Sequence, residues 1–259
     1  LNSSCASYTT AQQAVIIIGM TAFGMNFTFY FLLLMRKFRA AFQMEEIRLY
    51  LAIILIAIIA ITVDLLTQGG FTSLPWAFRD AAFHVSSIMT TTGYAIDDVN
   101  RWPRLSQGIL VFLMFCGACA GSTGGGFKIS RILLMARGFS RDMATHLRPE
   151  IVKKVHVDGK VVEESVMRST GTYTFVYFTI TILSILLVSF EGQDWETTCT
   201  AVIATFNNIG PGLGAVGTTG NYAGFSNFSK FILSADMLIG RLEIFPILVL
   251  FRRNTWKRF

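Results

Sequence analysis

Two short runs in the sequence gather oxygen donors around a glycine: TTTGY at 90–94 and NNIG at 207–210. Thr90, Thr91, Thr92, Asn207 and Asn208 carry hydroxyl or amide oxygens, and Gly93 and Gly210 release the backbone into dihedrals that aim several carbonyls at one point. Oxygens in that arrangement suit a small hard cation, and rings of carbonyls that replace an ion's water shell are a known filter chemistry. Tyr94, Ile209 and Pro211 stand beside these donors. The plainer alternative is that both glycines only turn an external loop.

A third run, GSTGGGFK at 121–128, invites comparison with the phosphate-binding pattern GxxxxGK[ST]. Gly121 and Gly126 have the required spacing, but Phe127 follows and Lys128 comes one place late. The run also succeeds an apolar stretch, GILVFLMFCGACA, where a phosphate cradle would succeed a soluble strand. A helix break accounts for it better. Residues 105–137 as one helix would extend roughly 50 Å at 1.5 Å per residue, more than one bilayer crossing. Gly121, Ser122, Thr123, Gly124, Gly125 and Gly126 crowd near the middle of that stretch, where they favour unwinding. Close helix packing through the glycines is the competing reading.

Arg241 falls mid-span in the apolar run 228–251, where a charge is costly and functional by default. Glu243 and Asp236 leave from other faces of such a helix and do not neutralise it. A barrier to cations and a structural pair with a carboxylate on another helix both stay open. Cys116 and Cys119 form a CxxC pair in an apolar run without a second ligand pair, which reads as packing and not as a zinc or redox site. His84, His146 and His156 are isolated, and the in-span histidines or paired acids that enzyme chemistry needs are missing. The chain therefore does not read as an enzyme.

The elements that must hold these residues are membrane helices. Of 259 residues 53% are hydrophobic and only 15% charged, with a mean hydropathy of +0.53, far from the balance of a soluble domain. Apolar runs at 14–35, 47–66, 105–115 with its continuation, 173–190 and 228–251 approach or exceed the roughly 20 residues a helix needs to cross hydrocarbon. Closed barrels would give shorter, alternating segments. Residues 1–13 are polar and lack the basic start of a cleavable signal, so the first run is expected to be a span, with an amino end that looks truncated.

The net charge of +6 does not point to nucleic acid, because it is patterned along the chain. Arg36, Lys37 and Arg39, the stretch from Lys128 to Arg168, and Arg252, Arg253, Lys257 and Arg258 form three basic groups. Placing all three in the cytoplasm gives one consistent topology.

Between an outgoing span and the next ingoing one lie WAFRDAAFHVSSIMTTTGYAIDD at 76–98 and WETTCTAVIATFNNIGPGLG at 195–214, each too short and polar to span twice. Each opens on Trp, has an early acid (Asp80, Glu196), runs through about three helical turns and ends in a glycine loop, the order expected of a re-entrant segment. Irregular backbone survives at membrane depth only when buried in protein or lining a watery cavity. Laying Gly93 on Gly210, an offset of 117, also lays Thr91 on Asn208 and Gly124 on Arg241. The glycine run and Arg241 are therefore expected to face each other at one depth. The chain divides as 1–40, a closing helix of a preceding copy; 41–140, a helix, pore loop and helix; 141–167, a cytoplasmic linker with a small hairpin about Asp158 and Gly159; and 168–259, the same unit again.

TTGY at 91–94 looks like a relaxed form of the potassium-channel filter sequence TVGYG, with Ala95 in place of the second glycine. Together with NNIGPGLG at 207–214, GSTGGGFK at 121–128 and GRLEIFPILVL at 240–250, it makes nearly the whole chain resemble the TrkH and KtrB superfamily of potassium transport proteins, most closely TrkH. The resemblance implies an all-α integral membrane fold of repeated helix, re-entrant pore helix, filter loop and helix units around a pseudo-fourfold ion pore. Four such repeats are expected per protein, so this sequence corresponds to the carboxy-terminal half.

By the same resemblance Thr90, Thr91, Thr92, Gly93, Tyr94, Asn207, Asn208, Ile209 and Gly210 form filter loops, with K⁺ at Thr91, Thr92, Asn207 and Asn208. The gate is then Gly121, Ser122, Thr123, Gly124, Gly125, Gly126, Lys128 and Arg241. No cofactor is implied beyond the transported K⁺. The implied setting is the bilayer of the bacterial inner membrane, as a homodimer that meets a cytosolic ring of nucleotide-binding regulatory subunits of the TrkA or KtrA kind. An inverted-repeat secondary transporter is the alternative, though both glycine loops fall on one side of the membrane.

Overall fold

The computed structural model describes residues 5–148, 150, 154–242 and 244. The expected carboxy-terminal continuation of the last span to Phe251, and the basic residues beyond it, lie outside them. The fold is an all-α integral membrane fold: α1 (Thr10–Phe23), α2 (Phe27–Leu34), α3 (Phe38–Gln43), α4 (Glu45–Thr67), α5 (Leu74–Met89), α6 (Arg104–Phe115), α7 (Ile129–Leu147), α8 (Glu164–Ser189), α9 (Trp195–Phe206) and α10 (Asn227–Arg241). A two-stranded hairpin, β1 (His156–Val157) with β2 (Lys160–Val161), lies between α7 and α8.

α4 and α8 are long and apolar enough to cross a membrane. Their outer faces leave Leu55, Ile56, Ile59 and Val63, and Phe175, Ile182, Leu183 and Leu186, exposed, which is the arrangement of a surface dissolved in lipid. The interior holds the short polar helices. Every residue of α5 from Asp80 to Met89 is buried, as is every residue of α9 from Thr200 to Phe206. α5 packs mainly on α4, and α9 on α8 and α10, so each short helix is wrapped by long ones.

The first span departs from expectation. The run 14–35 is two helices, α1 and α2, bent 95° apart. Asn26 begins the second helix, its Oδ1 accepting from Thr28 N at 2.8 Å. Gly24 supplies the room, since a Cβ there would run into the Tyr50 hydroxyl and Thr90 Cγ2. The freed backbone is satisfied by the glycine-rich segment: Cys119 N donates to Gly24 O and Phe27 N donates to Gly121 O. The bend and that segment therefore stabilise each other, in keeping with the need to pair every backbone group away from water.

The linker forms the hairpin expected around Asp158 and Gly159, both at positive φ as a two-residue turn of this hand requires. Asp158 also reaches α4, where its Oδ1 accepts from Glu45 N at 2.8 Å. The α4 N-cap residue, Met44, has no side chain that could do this. Arg137 of α7 pairs with Glu45 at 2.7 Å and donates to His156 O, tying three elements together.

Candidate functional site

Both glycine loops leave a buried helix by the same set of hydrogen bonds. After α5, Thr90 N donates to Ser86 O, Thr91 N to Ile88 O, and Thr92 N and Gly93 N to Ser87 O. After α9, Asn207 N donates to Ile203 O, Asn208 N to Thr205 O, and Ile209 N and Gly210 N to Ala204 O. Each bond maps onto its counterpart at the offset of 117 residues read from the sequence. The strain repeats too. Thr91 (φ 55°) and Asn208 (φ 58°) are two of the four non-glycine residues at positive φ among the described residues, and Gly93 (75°) and Gly210 (104°) follow them. A β-branched Thr in this region is costly and persists only where the surroundings impose it.

The consequence of that geometry is a set of unengaged oxygens. Among the described residues no hydrogen bond reaches the carbonyls of Thr90, Thr91, Thr92, Gly93, Asn207, Asn208 or Ile209. Thr90, Asn207 and Ile209 are buried and the other four half-buried; because buried carbonyls are ordinarily paired, the three buried ones stand out. The next carbonyls are pinned: Tyr94 O accepts from Ser87 Oγ at 2.6 Å, and Gly210 O from Tyr222 Oη at 2.6 Å. The loops also touch, because a Cβ on Gly93 would collide with Ile209 O and lie 3.1 Å from Pro211 Cδ. Thr90 and Asn207 are the C-caps of α5 and α9, so both helices direct the negative end of their dipoles at the loops.

The side-chain oxygens of the loops make hydrogen bonds of their own. Thr90 Oγ1 donates to Ser86 O at 2.6 Å and lies 2.9 Å from Thr92 Oγ1, while Thr91 Oγ1 accepts from Gly125 N at 2.8 Å. Asn207 is turned into the protein, its Oδ1 accepting from Tyr177 Oη at 2.8 Å and its Nδ2 donating to Ile203 O at 2.9 Å. Asn208 Nδ2 donates to Met237 O at 3.1 Å. The side-chain oxygens of Thr90, Thr91, Thr92 and Asn207 are thus engaged within the protein, whereas the loop carbonyls are not.

The glycine-rich run lies in an unwound segment, residues 116–128, between α6 and α7. It packs against both loops. A Cβ on Gly124 would lie 3.4 Å from Thr90 O, and one on Gly125 would lie 2.8 Å from Asn207 O. Gly121 and Gly126 adopt positive φ, Ser122 Oγ donates to Cys119 O, and Thr123 Oγ1 donates to Phe23 O. Lys128 Nζ donates to Gly124 O, and Arg241 Nη1 donates to Thr123 O at 3.1 Å. A cavity of about 310 Å³ opens here, bounded by the glycines, Lys128, Arg131, Tyr173 and Arg241. So the structure brings Arg241 to the residue preceding Gly124, onto which the repeat offset had laid it.

Sequence reasoning missed two residues that hold this site. Glu46, buried in α4, accepts from Ala120 N at 2.6 Å through Oε1 and from Asn26 Nδ2 at 3.4 Å through Oε2, joining the unwound segment to the α1–α2 bend. An acid at the start of an apolar span is a visible signal that could have found Glu46. Tyr177, inside an apolar run, carried none. On the extracellular side of the expected topology, Asp194 caps α9, and its bonds to the Thr197 backbone N–H hold its carboxyl below the usual range.

The chain is of the class of all-α membrane proteins, with paired short helices that end in strained, carbonyl-rich loops. The TrkH family, described as cation transport proteins, matches residues 3–258, and the chain belongs to that family. The Trk system potassium uptake protein TrkH of Salmonella typhimurium is 33% identical over 246 residues, 95% of this chain and 50% of that protein. TrkI of Halomonas elongata, likewise a Trk system potassium uptake protein, is 32% identical over 273 residues, 99% of this chain and 53% of its own. The crystal structure of the potassium transporter TrkH from Vibrio parahaemolyticus superimposes with a TM-score of 0.87 at 28% identity, covering 98% of this chain and 55% of that one. The chain thus spans about half the length of the relatives it matches. They are bacterial transport proteins and not enzymes, and a multi-pass chain of this family belongs in the bacterial inner membrane.

Proposed function

We propose that this chain supplies two filter loops and the gate of a potassium uptake pore. The observation that carries the reading is the pair of abutting loops with the same hydrogen bonds, the same strained φ angles and the same run of unengaged carbonyls. K⁺ exchanges part of its water for the carbonyls of Thr91, Thr92, Gly93, Asn208 and Ile209, in the negative field of two helix C-termini. An inward-negative potential contributes about 2.3 kcal/mol per 100 mV for each ion.

Past the filter the ion meets residues 121–128 and Arg241. The guanidinium bonded to Thr123 O adds a positive charge in the path and holds the segment against the loops, so it limits flux until the segment moves. The remaining filter loops belong to the part of the pore that relatives possess beyond the matched half. No cofactor is needed beyond the transported ion. A homodimer and a cytosolic nucleotide-binding ring of the TrkA or KtrA kind follow from family membership as the assembly that would move the gate.

The test is ion uptake by liposomes containing the complete gene product. The wild type is expected to take up K⁺ under an inward-negative potential, and Arg241→Ala to raise the rate. Absence of K⁺ uptake, with the protein folded, refutes the reading. An unchanged or lower rate in the Arg241 variant removes the barrier role.

A further inference from the structure

We propose that Tyr177 is a positioning residue that links the loop at 207–210 to the gate segment and sets its discrimination between ions. The proposal rests on reading these loops as an ion filter. Tyr177 is 1% exposed in α8, and Asn207 is fully buried at the end of α9. The Asn207 amide is oriented by its Nδ2 bond to Ile203 O, which leaves Oδ1 in need of a donor. The Tyr177 hydroxyl is that donor, at 2.8 Å. The same ring packs edge-on against Phe127, with centroids 5.3 Å apart, and also meets Phe206, Phe178 and Tyr173.

Phe127 belongs to the gate segment and is anchored there, its carbonyl accepting from Gly117 N at 2.8 Å. One side chain therefore holds the base of a filter loop through its hydroxyl and the gate segment through its ring. Direct contact reinforces the link, since a Cβ on Gly126 would lie 3.1 Å from Asn207 Oδ1. The partner loop is built otherwise. Its residue at the equivalent position, Thr90, closes its bonds locally on Ser86 O and Thr92 Oγ1. The first loop meets the gate directly, Thr91 Oγ1 accepting from Gly125 N at 2.8 Å, whereas the second is tied to it through a hydroxyl from a separate helix. Withdrawal of the segment that carries Phe127 strips that ring contact from Tyr177 and loosens the side chain that donates to Asn207 Oδ1.

Liposomes containing the complete gene product serve for the test, with uptake of K⁺ and of Na⁺ measured separately and thermal unfolding followed in parallel. Tyr177→Phe removes one oxygen and keeps the ring. It is expected to lower the K⁺ to Na⁺ uptake ratio by about threefold to tenfold, the effect of one hydrogen bond of ordinary net strength, with the unfolding temperature lowered by no more than about 4 °C. In an Asn207→Thr background, which gives this loop the local bond used by Thr90, Tyr177→Phe is expected to leave the ratio unchanged. Phe127→Leu and Tyr177→Phe are expected to act non-additively on the ratio, as neighbours on one path do.

An unchanged ratio in Tyr177→Phe overturns the proposal, as does a further fall in the Asn207→Thr background or strict additivity with Phe127→Leu. Gly93→Ser separates the two levels. If it changes the ratio while Tyr177→Phe does not, the filter reading stands and this inference fails. If neither changes it, both fail.

Discussion

Gly93 is the residue at which the geometry of the loops is most exposed to challenge. Its φ of +75° lies in the left-handed region, where adding a Cβ costs an L-residue about 1–2 kcal/mol. The larger effect is steric. The new carbon would fall on Ile209 O well inside contact distance, with Pro211 Cδ at 3.1 Å blocking a sideways escape. Backbone cannot swing aside as a flexible side chain does, so one loop must retreat by roughly 1 Å to restore van der Waals separation. That displacement moves carbonyls the ion is read to use. Gly93→Ala is therefore expected to reduce the preference for K⁺ over Na⁺ by about tenfold, equivalent to about 1.4 kcal/mol in relative barrier height. The assay is paired uptake of radioactive rubidium and sodium into liposomes at matched protein content, with unfolding temperature as the control for folding. A variant that folds to wild-type level and keeps the wild-type ratio would refute the assignment of these carbonyls to the ion.

Three further outcomes concern stability, read by thermal unfolding in detergent. Asp194→Ala should cost about 1 kcal/mol by uncapping α9, whereas Asp194→Asn, still able to accept from Thr197 N, should cost little. Because the Asp194 carboxyl is held below its ordinary value of 3.8, its contribution is present above that pH and disappears as pH falls through the lowered value; the Ala variant should lack this acid-sensitive component. Gly24→Ala should destabilise by about 1–3 kcal/mol through collision with the Tyr50 hydroxyl, and Tyr50→Phe in the same chain should recover part of that loss; no recovery would show that the bend is not set by this contact. Asp158→Ala should lower stability by about 1 kcal/mol by exposing the first turn of α4, and equal stability of the variant and wild type would dismiss the hairpin as a cap.

What could be read from the sequence was whatever repeats along it or follows from local chemistry. The offset that placed Gly93 on Gly210 also placed Thr91 on Asn208, and the two pairs share their backbone conformation. The excess length of 105–137 called for an interruption, and the helix unwinds at 116–128. What could not be read depends on partners distant in the chain. The bend at Gly24 needs Tyr50, Cys119 and Gly121 beside it. That the Asn207 side chain would bond to Tyr177, thirty residues away, has no signal in the sequence. Hydropathy likewise cannot show that Asp158 from a surface hairpin would finish the start of a membrane helix.

The contact between the loops has a direction. The glycine of the earlier loop receives a carbonyl of the later one, whereas the matching side of Gly210 has nothing among the described residues within 4 Å. Any additional loop of the same kind that docked there would present its own carbonyl to Gly210 and leave its own glycine facing onward. Growth by that rule turns always in one sense, so the handedness with which further units would assemble about a common axis is already written in the way a single pair touches.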